Sequence, residues 1–258
     1  MRLPAAFSSA VRSDLSGPIQ PAEWLGASAS ALYLIGGSGT VLAILTHDAV
    51  RLPCALVLCG TAAELPLTQL GPAAERRRRR PASIGAGRVE WAGPDGIVTV
   101  VGAREWAPAR VRSGAPGRAA LDALTLAVTG QHIGLDRELI ARLGRCVDDP
   151  AGQYAAVETL LGRGPGLTPS GDDVVAGFLL GARAFGRAVP GAVAAVAELA
   201  RGATTALSAR LLRHAIDGEC VPEFAAALAG LTGPHAPGDA LRRLLAVGHT
   251  SGCALAHG

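Results

Sequence analysis

The sequence predicts an α+β chain in two parts: a β-rich barrel or sandwich over residues 1–115, then an all-helical domain over residues 116–258. Three observations predict it. Up to residue 115, short apolar runs alternate with glycine-rich turns. From Ala119 onward, apolar residues recur at spacings of three and four. Between these regimes lies Arg110-Val-Arg-Ser-Gly-Ala-Pro-Gly117, rich in helix and strand breakers.

The first hairpin is Ala31-Leu-Tyr-Leu-Ile35 and Thr40-Val-Leu-Ala-Ile-Leu45, joined by Gly36-Gly-Ser-Gly39. Pro53-Cys-Ala-Leu-Val-Leu58 reads as a third strand. A second hairpin pairs Gly87–Trp91 with Gly96–Val101 around the turn Gly93-Pro-Asp-Gly96. Short strands and tight turns point to a small barrel or sandwich. Gly71–Gly87 carries the Arg76–Arg80 run between Pro72 and Pro81, and reads as a solvated loop.

In the second part, helices are expected over Ala119–Val128, Asp136–Leu143, Gly152–Leu161 and Asp173–Phe185. A single long helix is expected over Pro190–Ile216, with an apolar face of Val193, Val196, Ala200, Ala203, Leu207 and Leu211. Pro222–Leu231 and Pro237–Val247 follow. Gly177 and Gly181 sit on one face of the fourth helix and are expected to admit a neighbouring helix closely.

Composition narrows the function classes. Hydrophobic residues make up 49% and aromatics 3%, so the core must be Ala, Val and Leu, which suits closely packed helices. Lys is absent, so all 24 basic residues are Arg. That excludes a lysine Schiff base, a lysine nucleophile and a lysine grip on phosphate. The net charge of +3 is concentrated in Arg76–Arg80, and stacking aromatics are scarce. A nucleic-acid partner is therefore not expected. The five Cys are scattered, with Cys54 and Cys59 on opposite faces of a strand-like run, as expected for reduced thiols. The N-terminus does not read as a signal peptide, and no charge-free apolar run reaches membrane-spanning length. A soluble, cytoplasmic protein without a membrane partner is expected.

The densest unusual segment is Gly162-Arg-Gly-Pro-Gly-Leu-Thr-Pro-Ser-Gly-Asp-Asp173. Its glycines permit close backbone approach, and a helix start offers free N–H groups. Ser170 with Asp173 fits a capping box. In a second register Thr168 is the N-cap and Pro169 the first helical residue. Capping accounts for Asp173 but not for Asp172, for Gly164, Gly166 and Gly171, or for the hydroxyls of Thr168 and Ser170 together. The loop is not a Walker A motif, which ends in Gly-Lys-Ser/Thr. Two adjacent carboxylates disfavour a bare anion, by roughly a few kcal/mol. They favour a cation, an amide donor, or a phosphate bridged by Mg²⁺, with Arg163 offsetting part of the repulsion.

A second corner, Leu245-Ala-Val-Gly-His-Thr-Ser-Gly-Cys253, has the same logic: a helix ends at Gly248, and His249, Thr250, Ser251 and Gly252 open another. If the two corners face each other they make a polar pocket. His249 is a candidate general acid or base, or alternatively a hydrogen-bonding loop histidine. Thr204, Thr205 and Ser208 lie within one turn and either line that pocket or bond to carbonyls a turn back. His214 falls on the apolar face and reads as a core histidine; His132 follows Gly130-Gln131 at the end of a helix, and His47, His235 and His257 show no usable pattern.

Gly164-Pro-Gly-Leu-Thr-Pro-Ser-Gly-Asp-Asp173, then Thr204-Thr-x-x-Ser208, then Gly248-His-Thr-Ser-Gly252, together resemble the AllH-type oxamate carbamoyltransferase subunit family. The resemblance implies a role in allantoin or purine catabolism, linking carbamoyl phosphate and oxamate together with partner subunits of a hetero-oligomer. The Ser-Thr-Arg-Thr-Arg loop of ordinary transcarbamylases is absent, so carbamoyl chemistry would need a different site. Members of that family are expected to continue into a full final helix, whereas this chain stops at Ala254-Leu-Ala-His-Gly258.

On that reading Asp172, Asp173 and His249 are the candidate catalytic residues. Arg163, Gly164, Gly166, Thr168, Ser170, Gly171, Thr204, Thr205, Ser208, Thr250, Ser251 and Gly252 would bind a small anionic or amide-bearing metabolite. Asp172 would accept from the carbamoyl NH₂ or hold Mg²⁺, the one cofactor considered. The rival is a non-catalytic metabolite-binding or assembly subunit. A weaker third reading is metal-assisted hydrolysis by Asp172, Asp173 and His249, which lacks any His-x-x-x-His or His-x-Asp spacing.

Overall fold

The computed structural model describes residues 1–70, 81–233 and 237–258. The Arg76–Arg80 run and His235 lie outside the described residues. The chain divides into two compact units, Met1–Pro108 and Ala109–Gly258.

In the first unit eight strands close a mixed barrel. They are β1 (Arg2–Ser8), β2 (Gln20–Ala27), β3 (Ala31–Gly36), β4 (Val41–Leu45), β5 (Ala55–Leu58), β6 (Ala82–Gly85), β7 (Arg88–Gly93) and β8 (Gly96–Trp106). Their spatial order is β1-β5-β4-β3-β2-β6-β7-β8. β1 runs parallel to β8 and β4 parallel to β5; the other neighbours are antiparallel. Closure leaves no long unpaired edge. Both expected hairpins form, with Ile35 opposite Val41 and Gly93 opposite Gly96. β4 and β5 are buried along their whole length, as their unbroken apolar runs require. Trp91 anchors the core: it stands edge-on to Trp24 at 5.9 Å, and its indole N–H donates to the Leu70 carbonyl at 2.8 Å. Short helices α1 (Arg12–Ser16) and α2 (Leu67–Leu70) lie in the connections. Part of the expected loop at Gly71–Gly87 is in fact strand β6, whose Ala82 and Ile84 are buried.

The second unit holds α3 (Arg118–Val128), α4 (Arg137–Arg145), α5 (Pro150–Leu160), α6 (Ser170–Ala184), α7 (Pro190–Ala203), α8 (Ala206–Ile216), α9 (Pro222–Thr232), α10 (Gly238–Leu245) and α11 (Ser251–His257). A two-stranded ribbon, β9 (Ala109–Arg110) with β10 (Glu219–Cys220), completes it. α6 is the central helix: nearly all its residues are buried, and α5, α8 and α11 pack around it. α4 and α5 begin as their caps dictate. The Asp136 carboxylate accepts from the Glu138 N–H at 2.9 Å, and Asp149 precedes Pro150 at the first helical position.

The single helix expected over Pro190–Ile216 is two helices. Thr204 is extended, and the Thr205 hydroxyl caps α8 by accepting from the Ser208 N–H at 3.1 Å. Ala203, assigned to a continuous apolar face, is exposed at the break. The hydroxyls of Thr204 and Thr205 bond outside the helix, which is the local competition that ends it. Among the described residues, no helix is long and apolar enough to cross a membrane.

Candidate functional site

The two glycine-and-hydroxyl corners share one construction. In each, a helix ends, a glycine turns the chain with positive φ (Gly162 at 73°, Gly248 at 62°), and the next helix opens with a second glycine two residues in. That second glycine lies on a carbonyl of the preceding helix. A Cβ on Gly171 would stand 2.0 Å from the Leu160 oxygen, and one on Gly252 1.8 Å from the Leu244 oxygen. Gly171 and Gly252 are thus fixed by backbone-on-backbone packing. The corners meet: the hydroxyls of Thr168 and Ser251 are 3.1 Å apart.

The start of α6 differs from both expected capping registers. Pro169 occupies the N-cap position and Ser170 is already helical. The Asp172 and Asp173 N–H groups both donate to the Pro169 carbonyl, at 3.0 and 3.2 Å, and the Gly171 N–H to the Arg163 carbonyl at 2.8 Å. These first-turn donors, expected to face a ligand, are therefore spent on the protein's own backbone.

Asp172 is 1% exposed. One carboxylate oxygen accepts from the Gly162 N–H at 2.8 Å and the other from the Thr204 hydroxyl, with the Ser208 hydroxyl also bonded. Burial pushes its pKa up, and these three donors pull against that. They fill most of the roughly four acceptor sites of a carboxylate. Asp172 thereby ties the 162–169 loop to the α7–α8 break, and little of it remains for Mg²⁺ or a carbamoyl amide. Among the described residues, no group of three or more His, Cys, Asp or Glu is placed to hold a metal ion.

Asp173 is the opposite case. It is 7% exposed, its carboxyl is bonded to the Ser251 hydroxyl, and its Oδ2 is buried with no partner. Burial is the largest cause raising its pKa to about 8; the Ser251 bond opposes this and the Asp172 charge adds to it. The capping-box account of Asp173 therefore fails: its carboxyl faces the second corner instead of returning to the backbone at Ser170. A carboxyl with this pKa carries its proton at neutral pH, and so can donate a hydrogen bond.

The remaining candidates surround this contact unequally. Thr205 caps α8 and donates to the Leu167 carbonyl, holding the loop from the other side. Arg163, Gly164 and Gly166 are exposed, and the Arg163 guanidinium reaches back to the Thr159 carbonyl. Thr250 is the N-cap residue of α11 without a side-chain capping bond. His249 lies exposed in the turn before it, with no side-chain hydrogen bond to either carboxyl. His214 is buried as expected, with Nδ1 2.7 Å from Glu219, which also pairs with Arg110. Burial lowers its pKa, against the Glu219 bond. Glu219 and His257 were not singled out from sequence. The partner of the first is set by the β9–β10 ribbon and the environment of the second by the α3–α4 connection, and neither leaves a local signal.

No solved structure matches the chain. Residues 160–258, which include both corners, the α7–α8 break and the Thr168–Ser251–Asp173 contact, match the family model of the oxamate carbamoyltransferase subunit AllH.

Proposed function

We propose that the chain is a subunit of an oxamate carbamoyltransferase-like enzyme and that the junction of its two corners faces the reacting groups. The observation carrying this reading is the buried Asp173 carboxyl, bonded to Ser251 and with Oδ2 unpartnered. Two ionised carboxylates would repel carbamoyl phosphate and oxamate, both anions. Held neutral by burial, Asp173 removes one of those charges and supplies a donor to a substrate oxygen. In the reaction the oxamate nitrogen attacks the carbamoyl carbon, the bond from that carbon to the phosphate oxygen breaks, and phosphate leaves. The attacking nitrogen loses a proton to a base. Asp173 would donate to the leaving oxygen, Ser251 and Thr168 would orient it, and the exposed His249 would accept the proton. Arg163 and the 164–166 backbone would hold the outer end of the anion. Asp172 acts through the loop it fixes, as a positioning residue.

The test is oxamate-dependent phosphate release from carbamoyl phosphate by the chain purified with its co-purifying subunits. Activity is expected, lowered about 10²-fold or more in Asp173→Asn and about 10-fold in Ser251→Ala. Absence of oxamate-dependent release in every subunit combination, with all chains folded, refutes the reading. A non-catalytic metabolite-binding or assembly subunit is favoured by one specific observation: Asp172 and the first-turn N–H groups of α6 are consumed internally. Thermal stabilisation by carbamoyl phosphate or oxamate without turnover would select it.

A further inference from the structure

Away from the two corners, three side chains close around the β9–β10 ribbon of the helical unit. His214, near the end of α8, stands with Nδ1 2.7 Å from Glu219 Oε2. The other Glu219 oxygen accepts from the Arg110 guanidinium at 2.5 Å, and Arg110 also donates to the Asp217 carbonyl at 3.4 Å. His214 and Glu219 are buried, whereas Arg110 is exposed. The ribbon itself is short. Ala109 pairs with Cys220 and Arg110 with Glu219, and the Val111 N–H donates to the Gly218 carbonyl at 3.0 Å. A two-stranded pairing of this length is marginal on its own. The side chains that bridge β9, β10 and α8 therefore decide whether Ala109–Val111 stays in place.

The arrangement fits one protonation state of His214. Glu219, paired with a guanidinium, accepts at both oxygens, so Nδ1 carries the ring proton. Nε2 is then the bare lone pair of a neutral ring, and it is buried with no hydrogen-bond partner among the described residues. A second proton would place a charged N–H there with nothing to accept it, which costs far more than an unmet acceptor. It would also set two positive charges, Arg110 and His214, against one carboxylate. Burial accordingly holds the imidazole below its ordinary value of 6.5, with Arg210 acting in the same sense and Glu219 and Asp217 opposing. The helices packed on α8 add little to this balance. Arg183 of α6 reaches the turn after α8, donating to the Ile216 carbonyl at 3.4 Å, and Asp172 meets α8 at its other end. Glu198 and Arg201 of α7 are exposed, and Glu223 of α9 acts on Cys220.

We propose that the β9–β10 ribbon is an acid-released latch: protonation of His214 breaks its fit to Glu219 and frees Ala109–Val111, while the surrounding helices stay folded. Opening the ribbon returns His214 and Glu219 to water, where the ring takes a second proton without penalty. The open form thus binds a proton that the closed form refuses, and falling pH draws the equilibrium towards it. The sign is opposite to that of Asp173, whose burial favours the fold at low pH. The latch does not depend on the transferase reading.

The test is amide hydrogen exchange of the full chain between pH 7 and pH 5, corrected for the pH dependence of intrinsic exchange. Protection of the Val111 amide, which bonds to Gly218, should fall below pH 6.5 by up to about tenfold per pH unit, the limit for one linked proton. Amides in the middle of α6, from Val174 to Leu180, should keep theirs. His214→Asn retains an N–H for Glu219 and takes no second proton, so its Val111 protection should not change with pH. Should that variant fail to fold, the His214 ring signals of the unaltered chain decide: by NMR titration the ring should charge over the same pH interval in which Val111 loses protection. Val111 protection independent of pH, an equal fall in folded His214→Asn, a ring that titrates outside the interval, or α6 amides opening together with the ribbon overturns the proposal.

Discussion

Asp173→Asn isolates the buried acid. In the unfolded chain the Asp173 carboxyl releases its proton near pH 3.8, and in the folded chain near pH 8. Between those values the folded state holds a proton that the unfolded state has lost, so the free energy of unfolding falls as pH rises. The contribution is complete below pH 3.8 and is lost as pH passes through about 8. At about 1.4 kcal/mol per pKa unit, moving from pH 5 to pH 8 removes about 3–4 kcal/mol. Asn is close to isosteric with the protonated acid and cannot ionise. The variant should therefore lack this decline, and its stability relative to the unaltered chain should rise by that amount across the interval. His214 and His257, both held low by burial, add a slope of opposite sign on the acid side, but in both proteins alike. The comparison is accordingly the variant minus the unaltered chain.

The assay is urea unfolding followed by circular dichroism at the helix band. Trp24, Trp91 and Trp106 all lie in the barrel unit, so tryptophan fluorescence separates its transition from that of the helices. With m of about 1–3 kcal/mol per molar urea, the difference in helix midpoints should change by more than about 1 M between pH 5 and pH 8. Parallel pH profiles for the two proteins would show that Asp173 is ionised in the folded state, and the assignment of a neutral acid would fall.

Three further outcomes follow from the geometry. Thr204→Val removes a donor to the buried Asp172 and should cost about 1–3 kcal/mol of helical-unit stability in the same assay. Gly171→Ala and Gly252→Ala each drive a methyl into a carbonyl and should destabilise by about 1–3 kcal/mol or more, lowering the melting temperature of the helices while leaving that of the barrel unchanged. Gly181→Ala should instead raise helical-unit stability by about 1 kcal/mol, because the added Cβ meets nothing and the helix gains a better former.

How far the sequence was legible depends on whether the deciding interaction is local. Both hairpins announced themselves through apolar alternation around Gly36–Gly39 and Gly93–Gly96, since a tight turn pairs neighbours in the chain. β1 and β2 carry Pro4 and Pro21 and only mixed apolar character, and β1 is held by a parallel pairing with β8, almost the whole barrel away in sequence. Nothing within seven residues encodes such a partner. The helix break at Thr204–Thr205 shows the same limit. The residues from Pro190 to Ile216 are mostly Ala, Leu, Val and Arg, with Gly202, Thr204 and Thr205 the weak helix formers at the break, and the distant Asp172 carboxylate and Leu167 carbonyl take up the two hydroxyls. The two corners were visible as matching motifs. That they face each other agrees with the Thr168–Ser251 contact, whereas the expected capping box gives way to tertiary packing.

The Asp172–Asp173 pair shows why residue identity could not assign roles. Successive helical residues project about 100° apart, so two adjacent aspartates on a helix buried all round must face different neighbours. Asp172 faces the α7–α8 break, where a backbone N–H and two hydroxyls satisfy its charge. Asp173 faces α11, where a single hydroxyl from Ser251 meets it and one oxygen is left bare. With three donors opposing the effect of its burial, the first serves as a tie. With one, the second is driven to hold its proton. The division of labour is thus set by the count of donors on either side of one helix. It also orders the consequences of substitution: loss of the Asp172 carboxylate should loosen the loop and lower stability, while Asp173→Asn, which replaces the protonated acid by a near-isostere, should leave the fold intact and, on the proposed reading, lower activity.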